Sequence, residues 1–165
     1  MLYRLGLTLL IVVGAGCSFA SVDEDACLFP DNAFSATIGG APLLIECVYV
    51  ARAVDQQGET VLGVQTRIDL SRRDSTGVQE AMNLSIVGAA PDETYAFSGD
   101  PEIDFGETPP TDVAFLAYSP LNGSVEFAQS GTVTLTTFTE SGASGTFTAT
   151  INGQAVTNGS FTVTY

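Results

Sequence analysis

The chain of 165 residues has no histidine, no lysine and no tryptophan, and only five cationic side chains, all arginine, against 19 acids. Each absence removes a class of chemistry. Without histidine there is no side chain that ordinarily titrates near neutrality, so a histidine-dependent nucleophile triad is excluded. Without lysine, Schiff-base catalysis and the lysine-dependent serine mechanisms go too. No G-x-S-x-G elbow occurs in the sequence. Tryptophan, a frequent stacking platform for sugars, is missing. Two carboxylates alone can still hydrolyse a glycosidic bond. Among 19 acids, however, some pair lies at any chosen separation, so their presence discriminates nothing. The residues therefore point to a protein that is not an enzyme and needs no cofactor.

The formal net charge of −14 excludes nucleic acid as a partner, because phosphate binding requires clustered positive charge. Such a balance favours solubility and repels like-charged surfaces. It also suits a salty habitat, where screening relieves self-repulsion.

Long hydrophobic runs are scarce as well. One begins at Leu5, after the single charge of Arg4, and ends near Val13, followed by Gly14, Ala15, Gly16 and Cys17. A spanning helix needs about 20 apolar residues, so this run reads as a secretory signal peptide rather than a permanent anchor. The small residues before Cys17 resemble the lipobox of bacterial lipoproteins. That resemblance implies that Cys17 becomes the mature N-terminus, carries a diacylglyceryl group and tethers the protein to a lipid bilayer. Ser18 after the cysteine resembles the pattern of outer-membrane sorting in gram-negative bacteria. Ordinary cleavage after Gly16 or Ala20 is the alternative. The expected organisation is a signal peptide over 1–16, a lipidated cysteine and acidic tether over 17–26, and a single domain over 27–165.

Three cysteines in an exported chain leave one thiol to explain. With Cys17 capped by lipid, Cys27 and Cys47 remain as a candidate disulfide in an oxidising compartment. Two buried free thiols are the alternative.

What the sequence has in abundance is alternation of period two. In "GTFTATI", Phe147, Ala149 and Ile151 face one way and Thr146, Thr148 and Thr150 the other, and "SFTVTY" repeats the pattern at Phe161, Val163 and Tyr165. Such runs are strands with one buried face. Further strands are expected in "LLIECVYVARAV", "TVLGVQTRIDL", "QEAMNLSIVG", "VAFLAYS" and "GTVTLTTF", separated by "DQQGE", "SRRDSTG" and "DPEIDFGETPPTD". Asn122-Gly123, Asn152-Gly153 and Asn158-Gly159 carry the dipeptide that tight hairpins favour. No segment has a helical apolar stripe. The expected fold is all-β, an antiparallel β-sandwich or an open barrel. "FSATIGGAPL" from Phe34 and "FTATINGQAV" from Phe147 share a spacing, best explained as two hairpins meeting the same steric demand.

The densest acidic stretch holds Asp100, Glu102, Asp104, Glu107 and Asp112, and Asp100, Glu102, Asp104 and Glu107 are the candidate ligands for a hard cation such as Ca²⁺. Phe105 stands where an EF-hand has glycine and Thr111 where it has its bidentate acid, so a solvated loop is the favoured reading. Asn83, Asn122 and Asn158 begin Asn-x-Ser sequons, which carry no signal in a bacterial setting.

From Gly131 to the C-terminus, "GTVTLTTFTESGASGTFTATINGQAVTNGSFTVTY" resembles a group of small lipoproteins of gram-negative bacteria, and "FSATIGGAP" resembles that group's first strand and turn. The resemblance implies a β-sandwich lipoprotein and brings no activity with it. The function expected is a membrane-anchored binding or structural module of the cell envelope, with a protein or glycan ligand. A calcium-stabilised adhesion module and a carboxylate-pair glycoside hydrolase are the alternatives.

Overall fold

The structure, a computed structural model, describes residues 31–54, 58–73, 79–99, 112–121 and 123–165, with the backbone alone at 69–73 and 79. Cys17, Cys27 and the acids from Asp100 to Glu107 fall outside these residues. Among the described residues there are ten strands and no helix, as the alternation demands. They are β1 (Ala33–Ile38), β2 (Ala41–Pro42), β3 (Ile45–Val54), β4 (Thr60–Arg73), β5 (Gln79–Val87), β6 (Thr94–Phe97), β7 (Val113–Ser119), β8 (Glu126–Phe138), β9 (Gly142–Ile151) and β10 (Gln154–Thr164).

All ten belong to one sheet, in the order β2-β1-β10-β9-β8-β6-β7-β5-β4-β3. The sheet curls into a half-barrel, and β3, its last strand, comes close to β1 and β10. Of the two architectures expected, the open barrel is nearer, since the strands do not divide into two stacked sheets. Neither is the sheet purely antiparallel, because β6 and β7 run parallel.

The reason for a single sheet lies in β8. At its start β8 pairs with β7 through Phe127 and Glu126, and further on with β6 through Thr132, Val133 and Thr134. The change of partner coincides with a register shift between Ala128 and Ser130 and with Gly131 at φ +122°. A bulge and a glycine let one strand bend while its ladder to β9 continues on the other side. β8, together with the parallel β6–β7 pairing, thus keeps two groups of strands hydrogen-bonded in one sheet.

The concave face is the core. Phe34, Val64, Leu84, Leu116, Leu135, Phe147, Ile151 and Phe161, contributed by seven different strands, are among its buried side chains. The Phe34 and Phe147 rings, first members of the two similar hairpin sequences, pack at 5.2 Å between centroids. Phe147 and Phe161 each lie over a glycine on the paired strand. A Cβ on Gly159 would come within 2.6 Å of the Phe147 ring, and one on Gly145 within 2.9 Å of Phe161.

The convex face carries the threonines. Thr94, Thr134, Thr146, Ser160 and Ser35 form one cross-strand row over five neighbouring strands. Thr94 and Thr134 share a hydrogen bond of 2.8 Å between hydroxyls, as do Ser35 and Ser160. Such pairs each add a few tenths of a kcal/mol, about 0.2–1.

One buried polar side chain breaks the apolar pattern. Thr66 is fully buried, and its Oγ1 donates to the Met82 carbonyl at 3.1 Å and accepts from the Met82 amide at 3.0 Å. It does so where the β4–β5 ladder passes from Gln65↔Asn83 to Ile68↔Glu80 without pairing the residues between.

The turn chemistry was only partly as expected. Asn152 and Gly153 join β9 to β10 with φ +49° and +74°, and Gly39 and Gly40 join β1 to β2 with φ +58° and +87°. The two similar sequences are thus two hairpins whose turns need positive φ at both central positions. Asn158-Gly159, by contrast, is no hairpin. It lies inside β10 at a register shift, with Asn158 at φ +53°. Asn122 is outside the described residues, and Gly123 closes a turn onto the Pro120 carbonyl at 3.2 Å. Ser71–Arg73, expected in a linker, continue β4, and the four-residue β6 was not expected at all.

Open space surrounds a Cβ placed at Gly153, so only torsional strain opposes substitution there. Gly153→Val is expected to lower stability by about 1–3 kcal/mol. A denaturant midpoint equal to that of the parent would contradict the turn assignment.

Candidate functional site

Antiparallel strands of unequal length leave one end of the half-barrel open. There the β1–β2 turn, the crossing residues Leu43 and Leu44, and the β9–β10 turn surround a cavity of about 450 Å³. Its apolar walls come from Ile38 on β1, Leu43, Ile68 on β4 and Ile151 on β9. Period-two alternation turns Ile38, Ile68 and Ile151 toward the concave side; Ile68 and Ile151 are buried there, and Ile38 and Leu43 are half-buried at the rim.

Two carboxylates stand among these apolar walls, Glu80 near the start of β5 and Glu126 at the start of β8. Each is held by a neutral donor from another strand. The Tyr118 hydroxyl, near the end of β7, donates to Glu80 Oε1. Asn152 Nδ2, in the β9–β10 turn, donates to Glu126 Oε1 at 2.9 Å. None of the described side chains lining the cavity is cationic. Leu44, on the cavity wall, is 73% exposed, and Val125, next in the chain to Glu126, is 51% exposed. A cleft at the mouth of a barrel, with apolar walls and convergent polar groups in similar measure, can take a small molecule.

None of these residues stood out in the sequence. Glu80 and Glu126 are two acids among 19, separated by 45 intervening residues. No local motif could single them out; the signal lies in the strand order that brings the β5, β7, β8 and β9 ends together. Of the residues that the sequence did single out, the lipidation candidate Cys17, the bridge candidate Cys27 and the metal candidates Asp100, Glu102, Asp104 and Glu107 are outside the described residues. Cys47 is buried on β3 and does not line the cavity. Asp112 sits just before β7 with φ +60°, next to Gly88 and away from the cavity. Among the described residues, no three of histidine, cysteine, aspartate or glutamate gather where they could hold a metal ion.

At the other end of the half-barrel Tyr95 is buried. Its hydroxyl donates to the Gly88 carbonyl at 3.1 Å and accepts from the Ala90 amide at 2.8 Å. Burial pushes this phenol above its ordinary pKa, against the hydrogen bonding with Ala90. Its partners are backbone groups of the β5–β6 connection, so it pins that connection and belongs to no site.

The first described residues also lie at that other end. Asn32 Oδ1 accepts from the Thr164 amide at 2.8 Å, just before β1, whereas Ile38 at the far end of β1 lines the cavity. Six residues of strand separate the two by about 20 Å. No protein-family model matches this chain, and no curated protein or solved structure matches it.

Proposed function

We propose that the protein is a membrane-anchored lipoprotein of the cell envelope that acts as a non-enzymatic binding module. The observation that carries the binding reading is the open apolar cavity with its two oriented carboxylates. The lipobox-like run before Cys17 supports the anchor. Asn32, just before β1, lies at the end of the half-barrel opposite the cavity. Cys27 bridging Cys47 would fasten the segment that follows Cys17 to β3.

Intact-mass analysis of membrane-extracted protein, with and without reduction and alkylation, tests anchor and bridge together. The expected species begins at Cys17, carries lipid there, and alkylates at Cys27 and Cys47 only after reduction. A mature chain starting beyond Cys17, or an unmodified Cys17, overturns the anchor. Two thiols that alkylate without reduction overturn the bridge. Hydrolysis of a glycoside by the purified chain, lost in Glu80→Gln and in Glu126→Gln, overturns the non-enzymatic reading.

A further inference from the structure

We propose that the cavity at the β1–β2 end takes an organic cation with an apolar body, an amine or quaternary ammonium bearing an aliphatic or aromatic group. The inference rests on the reading of the domain as a binding module and adds the class of ligand. A cavity of about 450 Å³ has the size of a small-molecule site. The exposed Leu44 and the half-buried Ile38 and Leu43 offer apolar surface that water covers poorly, above the buried Ile68 and Ile151.

Charge then selects among apolar ligands. A carboxylate can accept about four hydrogen bonds. At Glu80 one comes from the Tyr118 hydroxyl, and at Glu126 one comes from the Asn152 amide. These donors are neutral, so they aim the carboxylates without cancelling their charge, and acceptor capacity is left over. No described side chain lining the cavity is cationic. An anionic ligand would meet two carboxylates at close range. A neutral one would forgo the charge-assisted hydrogen bonds, which are roughly twice as strong as neutral ones. The net charge of −14 adds a long-range field that concentrates cations at the surface.

Three soluble probes of similar size, benzyltrimethylammonium, phenylethanol and phenylacetate, separate the possibilities when titrated calorimetrically into the full chain in a maltoside detergent. The expected result is single-site binding of the ammonium that weakens as salt is raised, with phenylethanol weaker and phenylacetate not bound. Glu80→Gln and Glu126→Gln should each lower affinity for the ammonium by at least about tenfold, with unchanged melting temperatures. If phenylethanol or phenylacetate binds as tightly as the ammonium, the cationic class is overturned and the binding module stands. If none of the three binds, the small-molecule role of this cavity is overturned, and the binding module, with a protein or glycan ligand, stands. Undiminished ammonium binding in both glutamine variants overturns the assignment to this cavity.

Discussion

Gly131→Ala is expected to destabilise the protein by about 3–5 kcal/mol, enough to leave a marginal domain largely unfolded. Two independent costs meet at this residue. Its φ of +122° lies in a region that side chains other than glycine's rarely occupy. A Cβ there would sit 2.1 Å from the Thr148 carbonyl oxygen and 2.6 Å from Ala149 Cα. Both atoms belong to the backbone of the neighbouring strand β9, so no side-chain rotation relieves the overlap. β8 must either shift its register or separate from β9. The same residue lies where β8 passes from β7 to β6, so the damage reaches both groups of strands. Chemical denaturation followed by circular dichroism measures the loss. A midpoint within a few tenths molar of the parent's would show that β8 bends elsewhere.

Thr66→Val is expected to cost about 2–4 kcal/mol although the two side chains have nearly the same shape. The hydroxyl removed satisfies the amide and the carbonyl of Met82, and Met82 is fully buried beside it. Leaving a buried polar group without a partner costs about 1–3 kcal/mol, and here two are left. Thr66→Ser keeps the hydroxyl and loses only a methyl group, at roughly 1 kcal/mol. The difference between the two variants isolates the hydrogen bonds from the packing. Equal unfolding free energies for valine and serine would mean that Met82 finds other partners, and that the gap in the β4–β5 ladder does not depend on Thr66.

Most strands were legible because their residues alternate. β7 matches its expected run, and β3, β5 and β9 match theirs to within a few residues. β6 was missed because four residues between "PDE" and "SGD" are too short for periodicity to register, and its place is held by pairing on both sides. Asn158-Gly159 misled for a different reason. The same dipeptide suits a hairpin turn or a bulge, and here Gly159 is required where the Phe147 ring leaves no room for a Cβ. A distant strand decides between those two uses.

The cavity was the least legible feature. Its polar residues, Glu80, Tyr118, Glu126, Asn152 and Gln154, come from the ends of different strands and from a turn, and each looks ordinary in its own segment.

The sequence by itself determined that this chain is β-structured, which face of β9 is buried, where the Asn152-Gly153 hairpin turns, and which catalytic chemistries lack their residues. Those properties depend on neighbours one to four positions away, and the pleat and the turn express them directly. Only the tertiary structure decided that the strands make one curled sheet, that β8 carries the ladder from β7 to β6, and that two carboxylates line one cleft at the end away from Asn32. Alternation records which side of a strand is covered but not which strand lies beside it, and the half-barrel and its cavity exist only through that second choice.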